Sequence, residues 1–259
     1  MKNLFIAWQN TQTREWKSVA CLRQCEKGFS FFYTAGAKAA EHFIPFGRMN
    51  KLEQVYRSKD LFPVFKNRLL GENRPEFKDF LNWLDLDEST YDQLDALALT
   101  EGKRGTDSLE IFPCPEKAED GMYRISFFSH GLRHVNNGTK VDLDSVKEGD
   151  AAFLMQDKMN PFDPLAIAVR SNDPASLLGY CPRYLKQDLN WLLDNQADKI
   201  SLTVQKVNKN APIGLRLLFS LETPWDEAFK PCSGGDYEPI PNPELLTADC
   251  SCTECRQNF

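Results

Sequence analysis

The stretch 159-MNPFDPLAIAVRSNDPASLLGYCPRYL-185 places an unusual set of side chains beside short apolar runs. Asp163 is a hydrogen-bond acceptor, and Phe162 and Tyr180 each present an aromatic face. Arg183 carries a permanent positive charge and a planar group that can contact an anion with two N–H donors. These four residues are therefore candidates for binding a ligand rather than only for folding.

Each of these residues also has a purely structural explanation. Asp163 precedes a proline, where aspartate is an ordinary turn residue. Phe162 is of a type that more often fills a core than binds a ligand. Tyr180 can simply end a strand, and Arg183 can lie on a solvated helix face. Residue type alone leaves both explanations open.

Short strands separated by turn residues are predicted around these candidates. One helix interrupts them, with Pro182 in its first turn and Leu185, Leu189 and Leu192 on one face. The predicted strands are 122–128, 151–155, 166–170, 177–180, 200–207 and 214–221. Several close strands with a single helix predict a small β-barrel, which we assign to residues 118–222.

The first part of the chain has a different pattern. Three β-rich runs at 4–8, 18–22 and 29–33 predict an antiparallel meander. Helical spacing of apolar residues over 74–87 and a strand at 108–112 follow it. Strands, then helices, then a closing strand predict a small α+β domain over residues 1–113, and the whole chain is predicted to be α+β.

Proline, glycine and charged residues at 113–121 predict a linker between the two domains. Residues 223–259 hold seven acidic and two basic side chains, together with four cysteines. We expect this segment to wrap the second domain as an extended tail or to be partly disordered.

Composition places limits on function. A chain of 259 residues with 42% hydrophobic and 26% charged residues is typical of a soluble protein with two modest domains. The apolar run near the N-terminus is too short for a signal peptide, and no run is long enough to span a membrane, so a cytoplasmic protein is predicted. A net charge of −6 argues against sequence-blind coating of a duplex, although a focused nucleic-acid site remains open.

Catalytic signatures are missing from the sequence. It contains no phosphate-binding Gly-x4-Gly-Lys-Ser/Thr loop, no Gly-x-Ser-x-Gly elbow and no kinase signature. The acidic run 85-DLDEST-90 is explained by helix capping. The sequence therefore predicts no catalytic residue, no cofactor and no enzyme activity.

Four cysteines near the C-terminus raise the question of a zinc site. Cys232, Cys250, Cys252 and Cys255 are of the ligand type that zinc prefers, but their spacing is crowded and the first lies far upstream. A reduced, loosely ordered terminus is the prediction, and no metal site is assigned.

Three short motifs in chain order give the second domain a family resemblance. The motifs are 131-GLRHV-135, 160-NPFDPLAIAV-169 and 178-LGYCPR-183. With the strand pattern between them, residues 120–222 resemble the HIRAN domain, found in some chromatin-remodelling-type helicases and in bacterial and phage proteins. HIRAN domains of the helicase type bind the 3′ end of single-stranded DNA, and the resemblance implies this class of ligand here.

The resemblance also implies roles for individual residues. Asp163 would accept a hydrogen bond from the terminal hydroxyl, and its charge would repel a terminal phosphate. Phe162 would stack on a terminal base, and Arg133 and Arg183 would hold phosphates. Tyr180 would add a hydroxyl or a second stacking face.

The first motif departs from the helicase pattern after Gly-Leu-Arg. His134 and Val135 stand where helicase-type modules tend to have two aromatic residues. His134 can still stack or donate to a phosphate, whereas Val135 cannot stack. This departure puts the affinity or the identity of the ligand in doubt.

Residues 1–113 look like the N-terminal subdomain of HipA-type toxin kinases. The likeness is carried by 61-LFPVFKNRLL-70, 84-LDLD-87 and 107-DSLEIFP-113. The catalytic domain of that family has no counterpart here, so the first domain is expected to supply a protein-docking surface.

These observations lead to a first hypothesis and two alternatives. The first is a non-enzymatic adaptor that captures a single-stranded DNA 3′ end and docks a protein partner. The main alternative is a regulatory or antitoxin-like protein that binds a HipA-type kinase without nucleic acid. A recruiting subunit of a nuclease or phage-defence system is the third.

Overall fold

The structure is a computed structural model that describes residues 2–133 and 143–247. The chain forms two compact units, and each is built from more than one segment. Of the described residues, the first unit comprises 2–72, 92–114 and 232–247, and the second comprises 73–91, 115–133 and 143–231. These units interleave along the sequence, unlike the contiguous segments 1–113, 118–222 and 223–259 that the sequence predicts.

The first unit is mostly strands. Its sheet has the order β4-β3-β2-β1-β5 and is antiparallel throughout. The five strands are β1 (Asn3–Gln9), β2 (Trp16–Cys25), β3 (Gly28–Tyr33), β4 (Tyr56–Ser58) and β5 (Leu109–Pro113). Short helices accompany them, among them α1 (Ala35–Ala39), α2 (Pro63–Lys66) and α4 (Gln93–Thr100). The predicted meander and its closing strand, which pairs with β1, are confirmed.

Alternation of side chains along the strands gives this sheet two apolar faces. One face packs against the α2 and α4 side chains around Phe31 and Tyr33. The other face presents Cys21 and Phe32 to Leu246 of α6 (Pro243–Thr247). The C-terminal segment thus has an apolar surface to cover in the first unit.

The expectation that the acidic tail wraps the second domain is wrong for residues 232–247. These residues belong to the first unit, where Ala35 N donates to Glu238 O at 2.7 Å and Ile240 N donates to Tyr33 O at 3.0 Å. The Tyr237 ring also meets the Phe5 ring edge-on at 4.9 Å. Backbone pairing beside β3 and burial of apolar side chains fix the segment there.

Helix α3 (Phe77–Leu84) follows the predicted spacing but belongs to the second unit. Its end leaves backbone carbonyls without helical partners, and Trp83 O accepts a hydrogen bond from Asn208 Nδ2 at 2.8 Å. Asp85 accepts from Gln205 Nε2 at 2.9 Å and from Lys206 Nζ at 3.2 Å. Donors at the end of a distant strand therefore hold the helix in this unit.

Capping explains the acidic run that follows α3, as the sequence predicts. Asp87 caps a short 3-10 helix, and its Oδ1 accepts from Ser89 N at 2.7 Å. Asp92 caps α4, and its Oδ1 accepts from Leu94 N at 2.7 Å. These carboxylates satisfy backbone N–H groups at helix starts.

The second unit contains a curled sheet of six strands in the order β6-β11-β10-β7-β8-β9. The strands are β6 (Met122–Phe128), β7 (Ala151–Gln156), β8 (Ile167–Arg170), β9 (Leu177–Tyr180), β10 (Ser201–Val207) and β11 (Leu217–Pro224). Helix α5 (Lys186–Gln196) buries Leu189 and Leu192 against this sheet. The predicted strands and the single helix between β9 and β10 are confirmed.

The two edges of this sheet meet at one bridge beyond the end of β6. His130 N donates to Tyr180 O at 2.8 Å, and Tyr180 N donates to His130 O at 2.9 Å. Ser129 Oγ adds a hydrogen bond to Leu178 O at 2.7 Å. The sheet is therefore a half-barrel whose edges touch locally, rather than a fully paired barrel.

Gly179 permits this closure. Its φ is +116°, and a Cβ at this position would lie 2.0 Å from Ser129 Oγ and 2.6 Å from His130 O. Only a residue without a side chain combines this backbone conformation with such a close crossing.

We expect Gly179→Ala to destabilise the second unit by about 1–3 kcal/mol from backbone strain alone, with a further cost from the collision. Denaturant unfolding followed by hydrogen exchange of the β6 and β9 amides measures this loss. Gly214→Ala is the matched control, because nothing lies within 4 Å of its added Cβ. Equal stability of the two variants would show that the crossing does not hold the sheet edges together.

Candidate functional site

The loop between β7 and β8 is organised by the side chain of Asn160. Asn160 Oδ1 accepts from Phe162 N at 3.0 Å and from Asp163 N at 3.2 Å. Its Nδ2 donates to Asp157 Oδ2 at 3.1 Å. Asparagine stabilises turns in this way because its short amide reaches backbone N–H groups two and three residues ahead. One amide therefore fixes the backbone that carries both Phe162 and Asp163.

Asp163 is a largely buried carboxylate in contact with cations. Its Oδ2 accepts from Lys186 Nζ at 2.8 Å and its Oδ1 accepts from Leu165 N at 3.1 Å. The Asp163 side chain is 18% exposed. A carboxylate has about four acceptor positions, so these two hydrogen bonds leave room for a further donor.

The surroundings lower the pKa of Asp163. Desolvation is the largest single influence and raises the pKa, but the other causes together outweigh it. They are the hydrogen bonds from Lys186 and the Leu165 N–H, followed by the positive charges of Lys186 and Arg183. The acid therefore stays ionised in a partly buried position, with two cations close to it.

Phe162 lies next to this acid with its side chain 92% exposed. A phenylalanine this exposed contributes little to the core, so the explanation that it fills the core is wrong. Met159 in the same loop is 90% exposed. The loop thus presents an aromatic face to solvent at a position that its own hydrogen bonds hold fixed.

Tyr180 connects the loop to the closure of the sheet. Its hydroxyl donates to Asp157 Oδ2 at 3.0 Å, the same oxygen that accepts from Asn160. Desolvation, followed by the adjacent Asp157, raises the pKa of Tyr180. The phenol therefore stays protonated, and its oxygen can accept a hydrogen bond from a ligand.

Arg133 follows His130, which closes the sheet against Tyr180, by three residues. Gly131 has a left-handed φ of +71°, and a Cβ there would lie 3.3 Å from the Tyr180 ring. Arg133 is exposed two residues later, and the part of the chain that the structure describes records no contact between Arg133 and Asp163 or Phe162. His134 lies outside the described residues.

Hydrogen bonds through Asn160 and Asp157 connect three of the six predicted residues, Phe162, Asp163 and Tyr180, and the charge of Arg183 helps to lower the pKa of Asp163. The structure also adds Lys186, Asn160 and Asp157, which the sequence reasoning missed. Lys186 follows Arg183 by three residues at the start of a helix, so helical spacing could have indicated that both face Asp163.

Other predicted features concern metal ions and membranes. Within residues 2–133 and 143–247, no group of three or more His, Cys, Asp or Glu is arranged to hold a metal ion. Cys250, Cys252 and Cys255 lie outside that part of the chain. Among the described helices, none has both the length and the apolar character needed to cross a bilayer.

Comparison with known proteins gives a family match for the second unit. The HIRAN domain model matches residues 122–222. The crystal structure of the HIRAN domain of human HLTF is 22% identical, with 43% of this chain and 85% of that chain covered and a TM-score of 0.32. A crystal structure of a protein from Lactobacillus plantarum is 23% identical, with coverages of 40% and 97% and a TM-score of 0.30. A comparison with curated proteins gave no match.

The family match begins after the first 113 residues, so their resemblance to the HipA N-terminal subdomain, and a docked protein partner, stay predictions. The match does include all three motifs that carry the candidate site. Residues 122–222 of this chain therefore match the HIRAN domain family.

Proposed function

We propose that the HIRAN domain of this chain binds nucleic acid and captures the free 3′ end of single-stranded DNA, without catalysis. One observation carries the proposal: an exposed Phe162 stands directly beside an ionised Asp163 that is flanked by Lys186 and Arg183. A strand end offers an unstacked base, a terminal hydroxyl and nearby phosphates. An aromatic face, an acceptor and cations match these groups one for one.

The carboxylate gives the proposed site its preference for a free hydroxyl. Asp163 has acceptor positions left for a hydroxyl proton, whereas a terminal phosphate would be repelled at the same position. Lys186 and Arg183 lie at the start of α5 and would hold phosphates farther from the end. The positive end of the α5 dipole, at its N-terminus, would also attract these phosphates.

Phe162 would hold the terminal base by stacking. Every base has a π-face, so stacking contributes affinity without reading the sequence. The ring needs no rearrangement for this, because it is already exposed on a loop fixed by Asn160. Tyr180 would contribute its phenol oxygen at the edge of the same site.

We expect the protein to bind an oligonucleotide with a free 3′-hydroxyl at least about tenfold more tightly than the same strand with a 3′-phosphate. A hydrogen bond to a charged group contributes about 1.5–3 kcal/mol, and about 1.4 kcal/mol corresponds to tenfold. Asp163→Asn should reduce this ratio. Fluorescence anisotropy with hydroxyl, phosphate and blocked ends measures it. Equal binding of all three ends would exclude end recognition, and no binding of any would exclude the nucleic-acid proposal.

Phe162→Ala should weaken binding of a 3′-hydroxyl strand by about 5-fold to 150-fold, because stacking on one base contributes about 1–3 kcal/mol. Thermal stability should not change, since the side chain is 92% exposed. Met159→Ala removes an equally exposed apolar side chain from the same loop and is the matched control. If both variants bind as tightly as the unmodified protein, Phe162 is not a stacking platform.

Lys186→Gln should raise the pKa of Asp163, because it removes causes that lower it and leaves the desolvation that raises it. In the unmodified protein, the stability from ionised Asp163 is present above the ordinary value of 3.8 and is lost as pH falls through the lowered pKa. The amide proton of Leu165, which donates to Asp163, reports the titration by NMR. The midpoint should move upward in Lys186→Gln.

Lys158→Gln is the control for this titration. Lys158 is an exposed cation in the same loop, and no ion pair between it and Asp163 is recorded within the described residues. The Leu165 midpoint should stay near its original pH in this variant. Equal midpoints in the two variants would show that Lys186 does not set the charge of Asp163.

A further inference from the structure

A second exposed aromatic side chain lies on the same domain, away from the loop. Phe153 on β7 is 39% exposed, and the guanidinium carbon of Arg170 on β8 lies 5.0 Å from the centre of its ring. The two residues are directly paired across the strands. Neither belongs to the site around Asp163, and the core of the unit does not include Phe153.

Strand register connects this pair to the proposed 3′-end site. Met155 is paired with Ala168, and Ala168 is paired with Tyr180. Paired residues share a face of a sheet, as do residues two apart on one strand. Phe153, Met155, Arg170 and Tyr180 therefore lie on one face of the β7-β8-β9 sheet.

The spacing along this face suits a short length of polynucleotide. Two strand spacings and two residues along a strand separate Tyr180 from Phe153, which amounts to about 12 Å. That length equals about three to four nucleotides at the 3.4 Å rise of one B-form strand, and fewer when a strand is stretched. Met155, 45% exposed, provides apolar surface between the two ends.

The chemistry of the Phe153 and Arg170 pair favours a nucleic acid over a protein segment. Arg170 Nη1 donates to Ser171 O at 3.0 Å, and no carboxylate pairs with Arg170 among residues 2–133 and 143–247. A guanidinium can stack on a base and keep N–H donors for phosphate, and an aromatic ring beside it adds a second stacking face. An unneutralised cation beside an aromatic ring, on a face continuous with Tyr180, fits an anionic strand with flat bases.

We infer that the face formed by Phe153, Met155 and Arg170 is a second binding subsite, which holds the nucleotides on the 5′ side of the captured end. The inference rests on the proposed function, because the 3′-end site sets where the strand enters. A protein segment is the alternative occupant of this apolar and cationic face. The length of the nucleic acid separates the two sites experimentally.

The test compares a dinucleotide, which is too short to reach Phe153, with a decanucleotide, both with a free 3′-hydroxyl, by fluorescence anisotropy on the full chain. The unmodified protein should bind the decanucleotide more tightly. Phe153→Ala should weaken binding of the decanucleotide by about fivefold or more and leave binding of the dinucleotide unchanged. Phe153→Trp should keep the higher affinity for the longer oligonucleotide, because tryptophan retains a stacking face.

Arg170→Gln tests the cation separately. For decanucleotide binding, the logarithm of the binding constant should fall less steeply with the logarithm of salt concentration. The slope should decrease by about one, as expected for one lost phosphate contact. Lys117→Gln is the control for charge. Lys117 lies on the segment that precedes β6 and pairs with Glu227. The salt dependence of binding should stay the same in this variant for both oligonucleotides.

The outcomes distinguish the subsite from the 3′-end site. If the unmodified protein binds neither oligonucleotide, the proposed function itself fails. If it binds both and the Phe153 and Arg170 variants keep the original ratio of affinities, the subsite is overturned while the 3′-end site stands. Unfolding of each variant by denaturant confirms that altered binding does not come from a lost fold.

Discussion

The crossing of Ser129 and His130 over Gly179 is the constraint on which the candidate site depends. A chain segment can pass this close only where the strand below has no side chain, and the crossing joins the two edges of the sheet. It places Tyr180 beside Gly131, and the Tyr180 hydroxyl donates to Asp157 Oδ2 in the loop that carries Asp163. Three residues after Tyr180 the chain enters the turn that leads into α5, whose Lys186 donates to Asp163. The backbone requirement at Gly179 thus fixes the phenol, while Asn160 fixes the loop that carries the acid.

Electrostatics explains why the acid and the cations must occur together. Partial burial of Asp163 raises its pKa, whereas Lys186, the Leu165 N–H and the charge of Arg183 lower it by more. Asp163 in turn holds Lys186 in one position. Under the proposed function, an incoming phosphate would compete with Asp163 for Lys186, whereas an incoming hydroxyl would need only a remaining acceptor position on Asp163.

Much of this arrangement could be predicted from local sequence. Alternating and β-rich runs predict the strands well, because period-two patterns reflect burial on one face. The spacing of Leu185, Leu189 and Leu192 likewise predicts α5 and its buried face. The motif 160-NPFD-163 indicates a turn that presents a phenylalanine and an acid, and the structure places both beside one amide. These features are set by residues close in sequence.

Features set by distant residues could not be predicted in the same way. Residues 232–247 of the acidic tail belong with the first unit, where Leu246 covers an apolar sheet face, and the existence of this face depends on which strands pair. Helix α3 belongs with the second unit because Asn208 and Gln205 supply donors to its end from more than a hundred residues away. Lys186 was missed for a related reason, since a lysine becomes part of a site only when a loop brings an acid to it.

The side-chain amides around the site decide whether it could recognise a base sequence or only the end of a strand. Side-chain amides such as those of asparagine and glutamine can recognise base edges when both their donor and their acceptor are available. Asn160 uses its oxygen for two backbone N–H groups and its nitrogen for Asp157. Gln156 and Asn190 bond to each other and to neighbouring groups. The described side chains left to meet a ligand are aromatic faces, cations and one carboxylate, which contact any base, any phosphate and a terminal hydroxyl. Under the proposed function, such a set would recognise where a strand ends without reading its sequence.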